Sequence, residues 1–152
     1  MVNYYADNTR QHLRVWLKLL KTSSNVEAML RERLRRECGT TLPRFDVMAA
    51  LDHHPDGLRM SQLSRFLKVS NGNTTGIVNR LVEEGMIERA QDSLDRRAQK
   101  VCLTPNGKKE FEHLAQLHAQ WIDDIMSPLS NEHSDTLISL LEKLSKFGVT
   151  KP

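Results

Sequence analysis

The sequence predicts a mainly α-helical fold carrying a small β-wing, and three observations predict it. Apolar residues recur at three-and-four spacing near both ends of the chain. Between residues 60 and 82 two short segments of the same pattern are separated by a tight polar connection. Two short strand-like runs then bracket a polar loop before helical spacing returns. Only 5% of the 152 residues are aromatic and 7 are Gly, so strand and turn material is scarce, and the length suits one compact domain.

In chain order, Leu13, Trp16, Leu17 and Leu20 form one stripe and Val26, Met29, Leu30 and Leu34 another. The polar stretch 22–25 between them holds neither Gly nor Pro, so one long helix over about residues 9–37 is expected. Gly39 suits its C-cap. Thr41, Leu42 and Pro43 open a second helix with Phe45, Val47, Met48, Ala49 and Leu51, which stops near Pro55, Asp56 and Gly57. Met60, Leu63, Phe66 and Leu67 make a short amphipathic helix, and Lys68, Val69 and Ser70 lead straight into the next, which Ser70 or Asn71 can cap.

On that next helix Thr74, Ile77, Val78, Leu81 and Val82 share one side, while Asn71, Asn73, Thr75, Gly76 and Asn79 lie largely on another. Gly85 ends it. Two short helices so joined, the second with a polar outer face, make a helix-turn-helix with its recognition helix. Residues 86–89 and 99–103 read as the strands of a wing around the loop 91–98. Thr104 and Pro105 start a helix bearing Phe111, Leu114, Leu117, His118, Trp121, Ile122 and Ile125, and Ser127 and Pro128 break it near Met126. Leu137, Leu140, Leu141, Leu144 and Phe147 mark a last helix. Apolar helices at both termini exceed what a small winged module needs and suit pairing with a second chain. The expected division is an N-terminal dimerisation helix at 1–40, a winged helix-turn-helix at 41–104 and C-terminal dimerisation helices at 105–152, within one compact domain.

Charge and composition narrow the function. The formal net charge is +3, and the stretch 59–100, with eight basic residues against five acidic ones, carries all of it, as a nucleic-acid-binding patch requires. Cys38 and Cys102 are too few and too far apart for a disulfide framework or a metal knuckle, so both read as thiols. The six histidines lack His-x-x-x-His or carboxylate-paired spacing, so no metal and no cofactor is expected. There is no nucleophile–base pairing and no phosphate loop, which argues against an enzyme. No apolar run approaches the roughly 18 residues of a membrane helix, and the first ten residues lack a signal-peptide layout, so a cytoplasmic protein is expected.

The stretch LSRFLKVSNGNTTGIVNRLVEEGMIER at 63–89 and the stretch DSLDRRAQKVCLTPNG at 92–107 resemble the MarR (multiple antibiotic resistance regulator) family of winged-helix transcription factors. The likeness in element order covers essentially the whole chain. The family wing usually reads Asp-x-Arg-Asp-x-Arg; Asp92, Asp95 and Arg97 match it, and Leu94 stands where the first Arg is common. The resemblance implies a homodimer on an inverted-repeat operator in double-stranded DNA, acting as a repressor of a catabolic or resistance operon and released by a small ligand. Geometry agrees, because two recognition helices related by a two-fold axis enter successive major grooves roughly 34 Å apart.

On this reading Ser70, Asn71, Gly72, Asn73, Thr75, Gly76, Asn79 and Arg80 form the recognition surface. Asn side chains favour adenine, a Thr methyl favours thymine, and the glycines allow close approach. Arg65, Lys68, Arg80, Asp95, Arg96 and Arg97 belong to the wing and backbone contacts, with Arg97 the candidate for the minor groove. His12, Trp16, Phe45, Met48, His53, His118 and Trp121 are the candidate effector pocket, where the resemblance places effectors; ordinary core and dimer packing explains the same spacing. Arg31, Arg33, Arg35, Arg36 and Arg44 form a second basic cluster that could hold a polyanionic ligand or touch DNA backbone, and the Asn-Gly-Asn-x-Thr-Gly helix resembles a branch of the family sensing aromatic acyl-CoA thioesters. Two alternatives stand beside this reading: a winged-helix protein-interaction module, and a redox-sensing repressor acting through Cys38.

Overall fold

The computed structural model describes residues 7–67, 71–91 and 99–146, among which lie six helices and three strands. Lys68, Ser70, Asp95, Arg96 and Arg97, together with Phe147, fall outside the described residues. Two compact units emerge, Met1–His118 and Ala119–Pro152.

In the first unit, α1 (Asp7–Cys38) is one unbroken helix, as the absence of Gly and Pro in its middle predicts. Its two halves differ. Leu30 and Leu34 are buried, whereas Leu13, Trp16, Leu17 and Leu20 are exposed. Gly39 follows in a left-handed conformation (φ 62°), where a residue without Cβ pays no steric penalty. α2 (Leu42–Asp52) starts on Thr41, whose hydroxyl oxygen accepts from the Arg44 backbone N–H, with Pro43 in the first turn. Phe45, Val47, Met48, Ala50 and Leu51 bury its inner face.

A two-residue strand β1 (Leu58–Arg59) precedes α3 (Met60–Leu67) and α4 (Asn71–Glu83). Gln62 accepts from the Arg59 N–H and ties strand to helix. β2 (Ile87–Gln91) and β3 (Gln99–Leu103) are the wing strands, in antiparallel register from Ile87 opposite Leu103 to Gln91 opposite Gln99. The sheet order is β1-β3-β2, with Leu58 opposite Val101. The sequence pattern does not disclose β1: two residues have no periodicity, and only pairing with β3 makes them a strand. Leu34, Val47, Leu51, Leu63, Val78, Leu81, Ile87 and Val101 are all under 2% exposed and form one core drawn from four helices and the sheet. Each such side chain contributes roughly 1.5–3 kcal/mol by leaving water.

α5 (Pro105–Met126) starts on Thr104, whose hydroxyl accepts from the Gly107 N–H. In the second unit α6 (Asn131–Lys146) has no buried residue, and Leu137, Ile138, Leu140, Leu141 and Leu144 all face solvent. Among the described residues no helix is long and apolar enough to cross a membrane.

Candidate nucleic-acid interface

α4 divides into two faces as its spacing predicts. Thr74, Val78 and Leu81 are fully buried, while Asn73, Thr75, Gly76, Asn79 and Arg80 are exposed. The buried face fastens the helix to the core, so the polar face is held outward by packing rather than by chance. Asn71 and Gly72 lie in the first turn of the helix. Arg65, in the last turn of α3, is also exposed.

Two cross-links join this helix to its neighbours. Arg89 on β2 donates to the Asn79 side-chain carbonyl at 2.5 Å, tying the outer face of α4 to the wing. Arg44 on α2 grips Glu84, just past the end of α4, with both guanidinium nitrogens; the Nη1–Oε1 distance is 2.9 Å. The Arg44 hydrogen bond and positive charge hold the Glu84 carboxyl below its usual range, and the same bond raises Arg44. Arg44 and Arg80, with Thr41, Asn73, Gly76 and Ile77, line a cleft of about 280 Å³ between α2 and α4. Sequence reasoning did not nominate Glu84 or Arg89, because their partners lie 40 and 10 residues away and no local pattern signals such a pairing.

Gly76 is the informative glycine. It sits in mid-helix, where glycine costs about 1 kcal/mol relative to alanine, yet a Cβ built there meets no atom within 4 Å. No contact among the described residues demands it.

The candidate effector residues are brought together only in part. The Phe45 and His118 rings stack with centroids 4.7 Å apart, and the Phe111 ring lies 5.6 Å from that of Phe45. Burial pushes His118 below its usual pKa. Met48 and Trp121 are buried, whereas His12 is exposed and Trp16 is 57% exposed on α1. The arginine cluster is distributed. Arg31, Arg35 and Arg36 each pair with a glutamate on α1 (Glu27, Glu32 and Glu37), while Arg44 turns to Glu84. The Arg35 hydrogen bond lowers the Glu32 pKa.

Cys38 and Cys102 are both free thiols. Burial, reinforced by Glu37 and Glu110, raises the Cys38 pKa, the reverse of what a reactive thiolate needs. Cys102 is raised by burial and by Glu88. Among the described residues no cluster of His, Cys, Asp and Glu could hold a metal ion.

A model of the MarR family matches residues 39–98, the span from the start of α2 to the wing. A crystal structure of a MarR family transcriptional regulator from Silicibacter pomeroyi is 33% identical, covers 92% of this chain and 99% of its own, and superposes with a TM-score of 0.73. This chain belongs to the MarR family. The transcriptional activatory protein BadR of Rhodopseudomonas palustris is 31% identical over 113 residues, which are 72% of this chain and 65% of BadR, so the chain spans just under two thirds of that relative. A MarR mutant from E. coli complexed with operator DNA has the same fold, with a TM-score of 0.74, 24% identity and coverage of 91% of this chain and 99% of its own. The Silicibacter pomeroyi protein is a transcriptional regulator and BadR a transcriptional activatory protein.

Proposed function

We propose that this MarR-family protein is a homodimeric DNA-binding transcriptional regulator that reads an inverted-repeat operator with α4 and is released by a small aromatic or acyl ligand. One observation carries the DNA reading: the outward polar face of α4 is fixed by a fully buried inner face and includes a glycine that no internal contact requires. The E. coli relative in complex with operator DNA supports the same use of the fold. Asn73 and Thr75 meet base edges, and Arg80 and Arg65 meet phosphates. Such a protein works in the cytoplasm, where bacterial DNA lies.

The dimer reading rests on the terminal helices. A helix with five large apolar residues exposed gains by burying them, and a second copy supplies a matching surface. Leu141→Glu on α6 is expected to convert dimer to monomer in sedimentation velocity and to weaken operator binding by about 100-fold, since a single recognition helix then engages one half-site. A variant that stays dimeric would remove α6 from the interface.

For the effector, the Phe45–His118 stack supports an aromatic ligand. Arg31, Arg35 and Arg36 each pair with a glutamate of α1, and these exposed pairs would have to open for the arginines to hold the phosphates of an acyl-CoA. Repression is the favoured direction from family resemblance, although BadR carries the name of an activator. The test of the whole reading is fluorescence-anisotropy binding to the DNA upstream of the gene, against a scrambled duplex, at two salt concentrations and with aromatic acids and their thioesters. Tight, salt-sensitive, sequence-selective binding is expected. Absence of binding at low salt would favour a protein-interaction module.

A further inference from the structure

We infer that the cleft between α2 and α4 is a seat for an operator backbone phosphate, and that Glu84 is a built-in competitor which keeps the seat partly neutralised. The inference rests on the DNA-binding reading above and adds Arg44 and Glu84 to its machinery. Four of the six lining residues (Asn73, Gly76, Ile77 and Arg80) come from α4, and Thr41 and Arg44 come from the start of α2. A helix of about 10–12 Å diameter nearly fills a major groove about 12 Å wide, so a side of that helix away from the base edges faces a sugar-phosphate wall. This cleft borders the outer face of α4: it shares Asn73 with the residues proposed to read bases and sets Arg80 and Arg44 beside it.

The chemistry suits a phosphate. Two guanidinium groups line the cleft, and Arg44 already presents two N–H donors to the two oxygens of a carboxylate. That fork geometry serves a phosphodiester equally well. In the free protein Glu84 occupies the fork, so a phosphate has to displace or share it. Arg80 also acts electrostatically on Glu84. The carboxylate therefore offsets charge on both arginines. Gly76, with no atom within 4 Å of a Cβ placed there, lies on the same cleft and leaves its side of the helix open. A purely internal ion pair would not call for that opening.

The test uses the full chain. Glu84→Gln keeps the shape of the side chain and one acceptor for Arg44 while removing the charge. It is expected to tighten binding to operator and scrambled duplex alike, by about three- to tenfold at low salt, and to steepen the slope of log affinity against log salt by up to about one. Arg44→Ala is expected to make that slope shallower by about one, and Glu84→Gln placed in the Arg44→Ala background should no longer tighten binding. Thermal unfolding of each variant, followed by circular dichroism, controls for misfolding, and Arg44→Lys preserves charge without the fork. The inference is overturned if Glu84→Gln weakens binding or leaves the slope unchanged, because the pair then only fastens α2 to the end of α4. A wild-type chain that binds neither duplex overturns the DNA reading itself, which separates that failure from this one.

Discussion

Gly107, in the first turn of α5, and Gly76, in the middle of α4, are both helical glycines in the winged region, but they answer to different neighbours. A Cβ on Gly107 would lie 1.9 Å from the backbone oxygen of Met86, so the junction between sheet and helix closes only on glycine. A Cβ on Gly76 would meet nothing. The first glycine is explained from inside the molecule and the second is not. Residues of the first kind record how the chain packs; residues of the second kind record what it meets. The same division separates Leu34, fully buried at one end of α1, from Leu17 at the other end, 59% exposed.

The contrast breaks most visibly at the junction. Gly107→Ala should lower the unfolding free energy by about 2–3 kcal/mol in urea titrations, since backbone must shift to admit a methyl group. An unchanged midpoint would show that the junction relaxes freely and that the contrast is false. On the outer face, Asn73→Ala should leave stability nearly untouched and weaken operator binding by about 1–3 kcal/mol, with little change on scrambled DNA. Equal losses on both duplexes would move Asn73 from base reading to backbone contact.

Gly76→Ala sharpens the comparison because its two effects should have opposite signs. Stability should rise by about 0.5–1 kcal/mol while operator affinity falls. A variant improved in both respects would strip this glycine of any role at the interface. The smallest effect concerns pH. Burial holds the folded His118 below its reference value of 6.5, so the unfolded chain binds a proton that the folded chain refuses. Stability is therefore full above the unfolded pKa and is lost as pH falls from there toward the folded value. His118→Phe should flatten that loss between about pH 7.5 and 5.5 in parallel denaturation curves. Identical pH dependence in the two proteins would exclude His118 as its source.

Much of this was legible in the sequence, and the boundary of legibility is physical. α1, α2, α4 and α5 follow from apolar spacing, because burial on one side of a helix imposes a period that survives without knowledge of the partner. The two faces of α4 were readable for the same reason. Its outer residues Asn73, Thr75 and Asn79 could be nominated, but the sequence could not show that Asn79 is already held by Arg89. β1 escaped because Leu58 and Arg59 become a strand only opposite Val101 and Lys100. The basic run 31–44 suggested a shared anion site, and in the fold Arg31, Arg35 and Arg36 pair with glutamates of α1 while Arg44 reaches Glu84. Proximity in the chain predicts charge density; only packing decides which charges are spent.

Thr104 carries a mechanical consequence. Its hydroxyl donates to the Gly85 carbonyl at 2.6 Å, just past the end of α4, and accepts from the Gly107 N–H at 3.0 Å, inside the first turn of α5, while its own N–H donates to Met86. One small side chain thus ties the segment just past α4 to the head of α5. α5 also bears the His118 ring that stacks on Phe45 of α2. The same helix therefore touches α2 through His118 and is anchored behind α4 through Thr104, so the two contacts share one continuous stretch of backbone hydrogen bonds.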